Sequence, residues 1–293
     1  MISFDKFHGT GNDFFVIDAA QPVTDRRRLA IDLCDRESGI GDGNGSTGAD
    51  GVLYLALEAG YASPRVVMTL VQPDGSTAPM CGNGARCAAA WATERTGERV
   101  VMVDTQSGTR RATVDEESVS IEMGLPRFSP EAVPLARDEP IVEEAIGDLD
   151  VTAVDIGVPH AVAFVEDVST TDLESIAPPV RHAEIFPHGA NVTLASPDSE
   201  GGFDQRTYER GVEGETKSCG TGAVAVAAVA RKLGRTEADT IAVAPPGGDL
   251  EVSFSGTEAI LRGPTEREFA GRVSWGGSRS VEIDGEPGAT ADD

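Results

Sequence analysis

The feature that most constrains this chain is a short motif that occurs twice, each time directly before an Ala-rich segment. Cys-Gly-Asn-Gly-Ala occupies positions 81–85 and Cys-Gly-Thr-Gly-Ala occupies positions 219–223, 138 residues further on. A weaker pair of segments, 11–14 and 157–160, lies 146 residues apart in the same order. Chance recurrence would not explain the polar turn that precedes both copies. The pattern therefore indicates a duplicated unit that fills about half of the chain.

Each motif predicts a thiol at the N-terminus of a buried helix. The apolar run at 223–230 is far shorter than the roughly 20 residues that span a membrane, so it reads as a core helix. Free backbone N–H groups and the helix dipole favour negative charge at such an end. We therefore expect a lowered thiol pKa at Cys219, and a loop that can also hold a carboxylate.

Two such thiols on opposite sides of one cleft have a specific chemical use. Inverting a carbon centre requires one group to remove a proton from one face and another to deliver a proton to the opposite face. Cys81 and Cys219 suit these roles, and the helix N-termini would hold the charge that develops on a substrate carboxylate. A redox pair and two packed core residues are the alternatives from the residues alone. Cys34 and Cys87 fit a core role.

The charge balance excludes some partners. The formal net charge is −25, with 24 Lys and Arg against 49 Asp and Glu, which argues against nucleic acid or an anionic membrane as partner. Only three residues are Lys, which suits either a salt-adapted (halophilic) protein or an ordinary acidic enzyme. The N-terminus has no apolar signal region, so the chain is expected in the cytoplasm with its cysteines free.

The hydrophobic pattern predicts strands and helices in alternation in both halves. A helix should start after Thr24 or Asp25, and a second-half helix at 171–182 should be interrupted by two prolines. The Pro- and acid-rich segment 126–150 is predicted to be a linker, the Gly-rich segment 39–51 a surface loop, and 278–293 a disordered acidic tail. Each half is expected to be a mixed α/β domain whose sheet wraps around its Ala-rich helix.

Several longer motifs occur in the same order as in a known family. They include Phe-His-Gly-Thr-Gly-Asn-Asp-Phe at 7–14, Met-Cys-Gly-Asn-Gly-Ala-Arg-Cys at 80–87, Arg-Thr-Tyr-Glu-Arg-Gly-Val at 206–212 and Ser-Cys-Gly-Thr-Gly-Ala at 218–223. With these motifs the chain resembles the diaminopimelate epimerases, pyridoxal-phosphate-independent isomerases of lysine biosynthesis, almost to its end. The resemblance implies two pseudo-symmetric domains, 1–124 with a returning strand near 268–277, and 125–267. It also implies no cofactor and no metal.

The resemblance also implies roles for individual residues. Cys81 and Cys219 would be the acid and the base that exchange a proton with the α-carbon of LL-2,6-diaminoheptanedioate, giving the meso form. His160 and Glu209 would support these thiols. The substrate-binding residues that the resemblance implies are Asn12, Gln72, Gly82, Asn83, Asn191, Glu209, Arg210, Gly220 and Thr221.

The chain departs from the family at a few positions that bear on the substrate. Val158 and Gln72 stand where the family usually has Asn, and the connection at 39–47 is longer. An apolar Val cannot replace the hydrogen bonds of an amide. A racemase of another, proline-like amino acid therefore stays as an alternative, as does a thiol redox protein. The expected partner is a small molecule, and the protein is expected to be a monomer or a homodimer.

Overall fold

The computed structural model describes residues 1–41, 47–275 and 280–284, and its elements form two halves with one common plan. In both halves two consecutive strands pair antiparallel. A helix then leads to a third strand, which pairs parallel with the second, and the buried helix follows later in the chain. The predicted mixed α/β fold of two pseudo-symmetric parts is confirmed. No helix in the described ranges is long and apolar enough to cross a membrane.

The first half begins with the antiparallel strands β1 and β2, and β3, which follows helix α1, pairs parallel with β2. A second crossover contains α2 and makes β4 and β6 parallel neighbours. The bounds are β1 Ile2–Gly9, β2 Asn12–Asp18, α1 Arg26–Cys34, β3 Gly51–Glu58, β4 Arg65–Val71, β5 Thr77–Ala78, α2 Gly82–Thr96, β6 Val100–Thr105, β7 Gly108–Val114 and β8 Val119–Gly124.

The second half repeats these pairings, with β11 parallel to β12 across α3 and β13 parallel to β15 across α4. The bounds are β9 Glu144–Ile146, β10 Leu149–Asp155, β11 Pro159–Phe164, a 3-10 turn at Val168–Thr170, α3 Leu173–Arg181, β12 Asn191–Pro197, β13 Phe203–Glu209, β14 Gly214–Thr216, α4 Gly220–Lys232, β15 Thr240–Ala244, β16 Leu250–Ser255 and β17 Glu258–Gly263.

Helices α2 and α4 lie at the centres of the two halves. Every residue of α4 from Gly220 to Ala230 is buried, and α4 contacts seven strands of its half. A helix with small apolar side chains all round is the kind that a sheet can enclose on every side. Helix α2 contacts strands β1 to β4 and β6 to β8 in the same way. The core therefore fixes both motif cysteines at the ends of rigid elements.

Two strand pairs connect the halves and the chain ends. Strand β8 pairs antiparallel with β17, and β18 (Glu266–Val273) returns to pair with β1 of the first half. The tail prediction is wrong for β19 (Val281–Asp284), because this segment continues the sheet beside β18. Positions 278, 279 and 285–293 of the predicted tail, and 42–46 of the predicted Gly-rich loop, lie outside the described residues.

Local sequence signals placed most helix ends correctly and missed one helix interior. Asp25 caps α1 by accepting the Arg28 N–H, as the sequence predicts. The predicted interruption at Pro178 and Pro179 is wrong, because both lie inside α3. Each proline removes one backbone donor, and the last turn still closes through the His182 N–H bond to the Pro178 carbonyl, 3.0 Å long. The predicted linker is also shorter than expected, since β9 and β10 occupy its end.

Candidate active site

The structure brings both motif cysteines to one cavity of about 330 Å³. Its wall contains Cys81 and Cys219, and also Gly220 and Thr221 at the start of α4. Residues of both halves line it, so it lies where the two buried helices approach each other. A volume of this size suits a small metabolite.

The N-termini of α2 and α4 touch at this cavity. Cys81 and Cys219 are the N-cap residues, both with extended backbone, and Gly82 and Gly220 begin the helices. A methyl group added to Gly82 would lie 3.4 Å from the carbonyl carbon of Gly220, and one on Gly220 would lie 2.8 Å from Asn83 Oδ1. Glycine is therefore needed at both positions, because the two helix ends could not otherwise approach so closely.

Cys81 faces an amide whose orientation is fixed. Its thiol accepts the Gly84 N–H at 3.3 Å and donates to Asn12 Oδ1 at 3.9 Å, a long and weak contact. Asn12 Nδ2 donates to Asp50 Oδ2 at 2.6 Å. Because the Asp50 carboxylate only accepts when ionised, the oxygen of the Asn12 amide must be the atom that faces the thiol.

Asn83 lies behind the cavity wall and ties the two helix ends together. Its Nδ2 atom donates to the Ser218 carbonyl oxygen and to Ser218 Oγ, both at 3.1 Å. The side chain is fully buried and does not line the cavity, unlike Asn12 and Ser218. The resemblance implies that Gly82 and Asn83 bind the substrate. In the structure neither residue lines the cavity, and only the N-terminus of α2, where both lie, points toward it.

Cys219 lies beside a carboxyl group and a hydroxyl group. Its Sγ lies 3.4 Å from Thr221 Oγ1, and the Glu209 carboxylate is close enough to raise the pKa of the Cys219 thiol. Glu209 Oε1 accepts from Thr216 Oγ1 at 2.5 Å. Burial raises the pKa of Glu209 to about 7. Glu209 therefore changes between its ionised and protonated forms near neutral pH, beside a thiol that stays protonated in this range.

His160 contacts Thr221, the residue whose hydroxyl lies beside Cys219. The imidazole is fully buried, and burial, with a smaller effect of the Arg210 charge, lowers its pKa to about 3, so it is neutral at pH 7. Asn191 Nδ2 lies 3.3 Å from Nε2, and Asn191 Oδ1 accepts the Arg210 N–H at 2.8 Å. Nε2 is therefore an acceptor, and it accepts the Thr221 hydroxyl proton at 2.9 Å.

The expected lowering of the thiol pKa is wrong for this site. Burial raises the pKa of Cys81 to about 12 and raises that of Cys219 well above the ordinary thiol value. The nearby Glu209 carboxylate raises both pKa values further. Hydrogen bonds from the helix ends lower both pKa values, but by less than burial raises them. Removal of the thiolate from water outweighs the helix dipole here.

Another part of the cavity wall combines a cation with apolar and amide groups. Arg210 lines it and donates from NH1 to the carbonyl oxygens of His188 and Gly189, at 3.1 and 3.3 Å. Gln72 lines it and accepts from Ser76 Oγ at 3.1 Å. Val158 is buried in the same wall.

The polar residues of the wall that sequence reasoning missed include Asp50, Thr216 and Ser218. Asp50 lies in the Gly-rich segment 39–51, for which the sequence predicted only a surface loop. Ser218 directly precedes Cys219, so its proximity was available from the sequence. Thr216 comes close only because β14 folds back onto β13. Among the described residues, no group of three His, Cys, Asp or Glu side chains could hold a metal ion.

Comparison with known proteins gives one family. The sequence model described as Diaminopimelate epimerase matches residues 4–129 and 152–267. A diaminopimelate epimerase of Methanothrix thermoacetophila is 41% identical over 93% of this chain and 96% of its own length. The corresponding protein of Methanocella arvoryzae is 40% identical, again over 93% of this chain and 96% of that protein.

Solved structures share the fold at much lower identity. A hydroxyproline epimerase from Agrobacterium vitis superposes with a TM-score of 0.65 at 16% identity, covering 98% of this chain and 92% of that one. A methylitaconate-delta-isomerase gives a TM-score of 0.57 at 11% identity, covering 99% of both chains. At these identities the likeness concerns the fold alone.

Proposed function

The chain belongs to the diaminopimelate epimerase family, and on that premise we propose that Cys81 and Cys219 are the two acid–base groups with which it epimerises diaminopimelate. The protein is an isomerase, and its relatives assign it to lysine biosynthesis. The observation that carries the proposed roles is that both thiols line one cavity at two touching helix N-termini.

The proton transfers follow from the neighbours of each thiol. Glu209 takes the Cys219 proton, which forms a thiolate without changing the net charge of the pair. The thiolate removes the α-proton of the substrate, and the Cys81 thiol delivers its own proton to the opposite face of the carbon. The product then has inverted configuration, with a thiol at Cys219, a thiolate at Cys81 and a protonated Glu209. Loss of the Glu209 proton to solvent and uptake of one proton by Cys81 restore the starting state. The reverse reaction exchanges the two roles.

The carboxylate beside the reacting carbon binds at the two helix N-termini. When the α-proton leaves, negative charge moves from the carbon onto this carboxylate. Backbone N–H groups at the start of α2 and α4 are free to donate to it, and both helix dipoles favour the added charge. Gly82, Gly220 and Thr221 therefore contribute mainly through their backbone.

The far carboxylate of the substrate binds at Arg210, with Asn191 and Gln72 beside it. A guanidinium group suits a carboxylate, and Arg210 is held in place by the carbonyl oxygens it already contacts. The far ammonium group faces the carboxylates of the wall, Asp50 and Glu209. Val158 offers no hydrogen bond to this end, so recognition depends more heavily on Arg210 here.

Deuterium exchange tests this function and its residues together. The protein is incubated with LL-diaminopimelate in deuterated water with a thiol reductant, and incorporation at the α-carbon is followed with formation of the meso form. We expect incorporation with inversion in the wild type and none in the C81A/C219A double variant. L-proline serves as the comparison substrate. Exchange that survives in the double variant, or is faster with proline, would overturn the proposal.

The division of the chain and its state of association extend the same proposal. We assign residues 1–124 and 268–277 to one domain and residues 125–267 to the other, with each thiol in a separate domain. The protein acts in the cytoplasm as a monomer or homodimer, without nucleic acid or membrane as partner. Light scattering at low and high salt measures the mass, and a larger assembly would contradict this assignment.

A further inference from the structure

Arg86 is a buried cation without an anionic partner. It lies in the second turn of α2, is 0% exposed, and forms no ion pair with any described residue. Its two hydrogen bonds go to neutral oxygens, from NH1 to Asn83 Oδ1 at 3.0 Å and from NH2 to Thr10 Oγ1 at 3.4 Å. Its Nε atom has no partner. Such a site is unusual, because buried charges are normally paired.

Other buried cations of the chain follow the normal rule. Lys6 lies 2.5 Å from the Asp13 carboxylate, and Arg181 lies 2.5 Å from Glu213. Burial lowers the pKa of Arg86 to about 10, which leaves it positively charged at neutral pH. Among the residues that the structure describes, Arg86 is thus the buried cation for which the fold bears the cost of an uncompensated charge.

The surrounding backbone leaves space for this side chain. A methyl group added to Gly9 would lie 3.1 Å from Arg86 NH2, and one added to Gly263 would lie 3.3 Å from its Cζ and NH2. Gly9 ends β1 in the first half, and Gly263 ends β17 in the second. The guanidinium is thus enclosed by both halves, next to the junction of the two helices.

Hydrogen bonds connect Arg86 to the cavity wall. A guanidinium group only donates hydrogen bonds, so Asn83 Oδ1 must face Arg86. Asn83 Nδ2 is thereby directed toward Ser218 and Asn12. On the other side, Thr10 Oγ1 lies 2.7 Å from Ser218 Oγ. Ser218 and Asn12 both line the cavity.

We propose that Arg86 is a positioning residue of the reaction, holding Asn83 and Ser218 at the junction of the helix N-termini and adding a positive charge behind the carboxylate site. The inference rests on the proposed function, since the anion that it serves is the substrate carboxylate. Two helix N-termini and one guanidinium then stabilise the charge that develops there. The negative charge that compensates Arg86 is thus the substrate carboxylate, which it affects without direct contact.

The test replaces Arg86 with Met, which keeps the length of the side chain and removes the charge. The R86K variant keeps the charge and loses the fork that reaches two acceptors. The matched control is R95M on the same helix, because Arg95 is ion-paired with Asp5 and stacks on Trp91. Kinetics, thermal unfolding and the pH dependence of Cys81 alkylation by iodoacetamide are measured for all three.

We expect R86M to lose about 10- to 100-fold in kcat, less than for a group that touches the substrate directly. Its melting temperature should be unchanged or higher, because an unpaired buried charge has been removed. The pH dependence of the Cys81 alkylation rate should shift upward by roughly one pH unit, because the Arg86 charge that favours the thiolate is gone. The ionisable groups whose charge acts on Cys81 are Glu209, Arg86 and the thiols of Cys219 and Cys87. R86M is therefore also measured in the E209Q background. R86K should be intermediate in kcat.

A purely structural arginine predicts the opposite pattern. R86M would then melt at a lower temperature, as R95M is expected to do, with kcat and the alkylation profile unchanged, and that result would overturn the proposal. Melting and alkylation are measured without diaminopimelate. They therefore report on Arg86 even if the epimerase assay fails, which keeps failure of this inference distinct from failure of the proposed function.

Discussion

Glu209 is expected to control the pH dependence of the reaction. Its pKa is raised to about 7 by burial, and in the mechanism its ionised form accepts the Cys219 proton. Activity should therefore fall as the pH drops through 7, by a factor of ten for each further unit. At pH 5 kcat/KM should be roughly 1% of its value at pH 8.

The E209Q substitution removes the proton acceptor and keeps the shape of the side chain. At pH 8 we expect kcat to fall by about 100-fold or more, as for loss of a general base. The decline of activity below pH 7 should disappear from the variant, because the group that titrates is gone. Initial rates between pH 5 and 9 measure both effects.

The same substitution should stabilise the protein at high pH. A carboxyl group whose pKa is raised in the folded state favours folding below its unfolded pKa, and this contribution is lost as the pH rises through 7. The raised pKa of Glu209 corresponds to at most about 3 kcal/mol in the free energy of unfolding at pH 8. E209Q should therefore melt a few degrees higher than the wild type at pH 8, with little difference at pH 4.

Two results would refute this reasoning. The first is a wild-type activity profile that declines only near pH 4.5, the ordinary range of a Glu side chain. The second is an E209Q variant that keeps the decline at pH 7. Either would mean that another group titrates, and Glu209 would then be restricted to binding the substrate.

Three further substitutions test other parts of the site. G220A should lower kcat by more than about 100-fold and destabilise folding by about 1–3 kcal/mol, because its methyl group would lie 2.8 Å from Asn83 Oδ1; G60A, with open space around it, is the control in urea unfolding. V158N should lower KM for diaminopimelate several-fold with kcat unchanged, since one hydrogen bond contributes about 1 kcal/mol; an unchanged KM would separate Val158 from the substrate. D50N should reduce kcat/KM about 10-fold by freeing the Asn12 amide, whereas D5N, at a carboxylate with its own ion pairs away from the cavity, should not.

Local and repeated features were predictable from the sequence. The duplicated Cys-Gly-x-Gly-Ala motif predicted two helices of one kind, and the structure places Cys81 and Cys219 as their N-caps. The close approach of Gly82 to Gly220 explains why glycine follows each cysteine, although the motif did not predict this contact. Such features can be predicted from the sequence because each depends on residues that are neighbours along the chain.

The features that were missed depend on residues distant in sequence. The helix dipole that lowers a thiol pKa is visible in the motif, but the burial that raises it comes from strands folded over the cavity. The neutral state of His160 depends in the same way on burial in the folded core and on the charge of Arg210, which is 50 positions away. Strand β19 forms because β18 offers it an edge, a condition that the tail sequence does not contain.

The raised thiol pKa values are consistent with the proposed chemistry. The α-carbon of an amino acid is a very weak acid, so a thiolate removes its proton more readily when that thiolate is a stronger base. A site that stabilised the thiolate fully would weaken it as a base. In this structure the positive elements, Arg86 and the two helix ends, meet where the substrate carboxylate is proposed to bind, while Glu209 stands beside Cys219. The positive charge is thus available to the transition state, whose carboxylate gains charge, more than to the resting thiols.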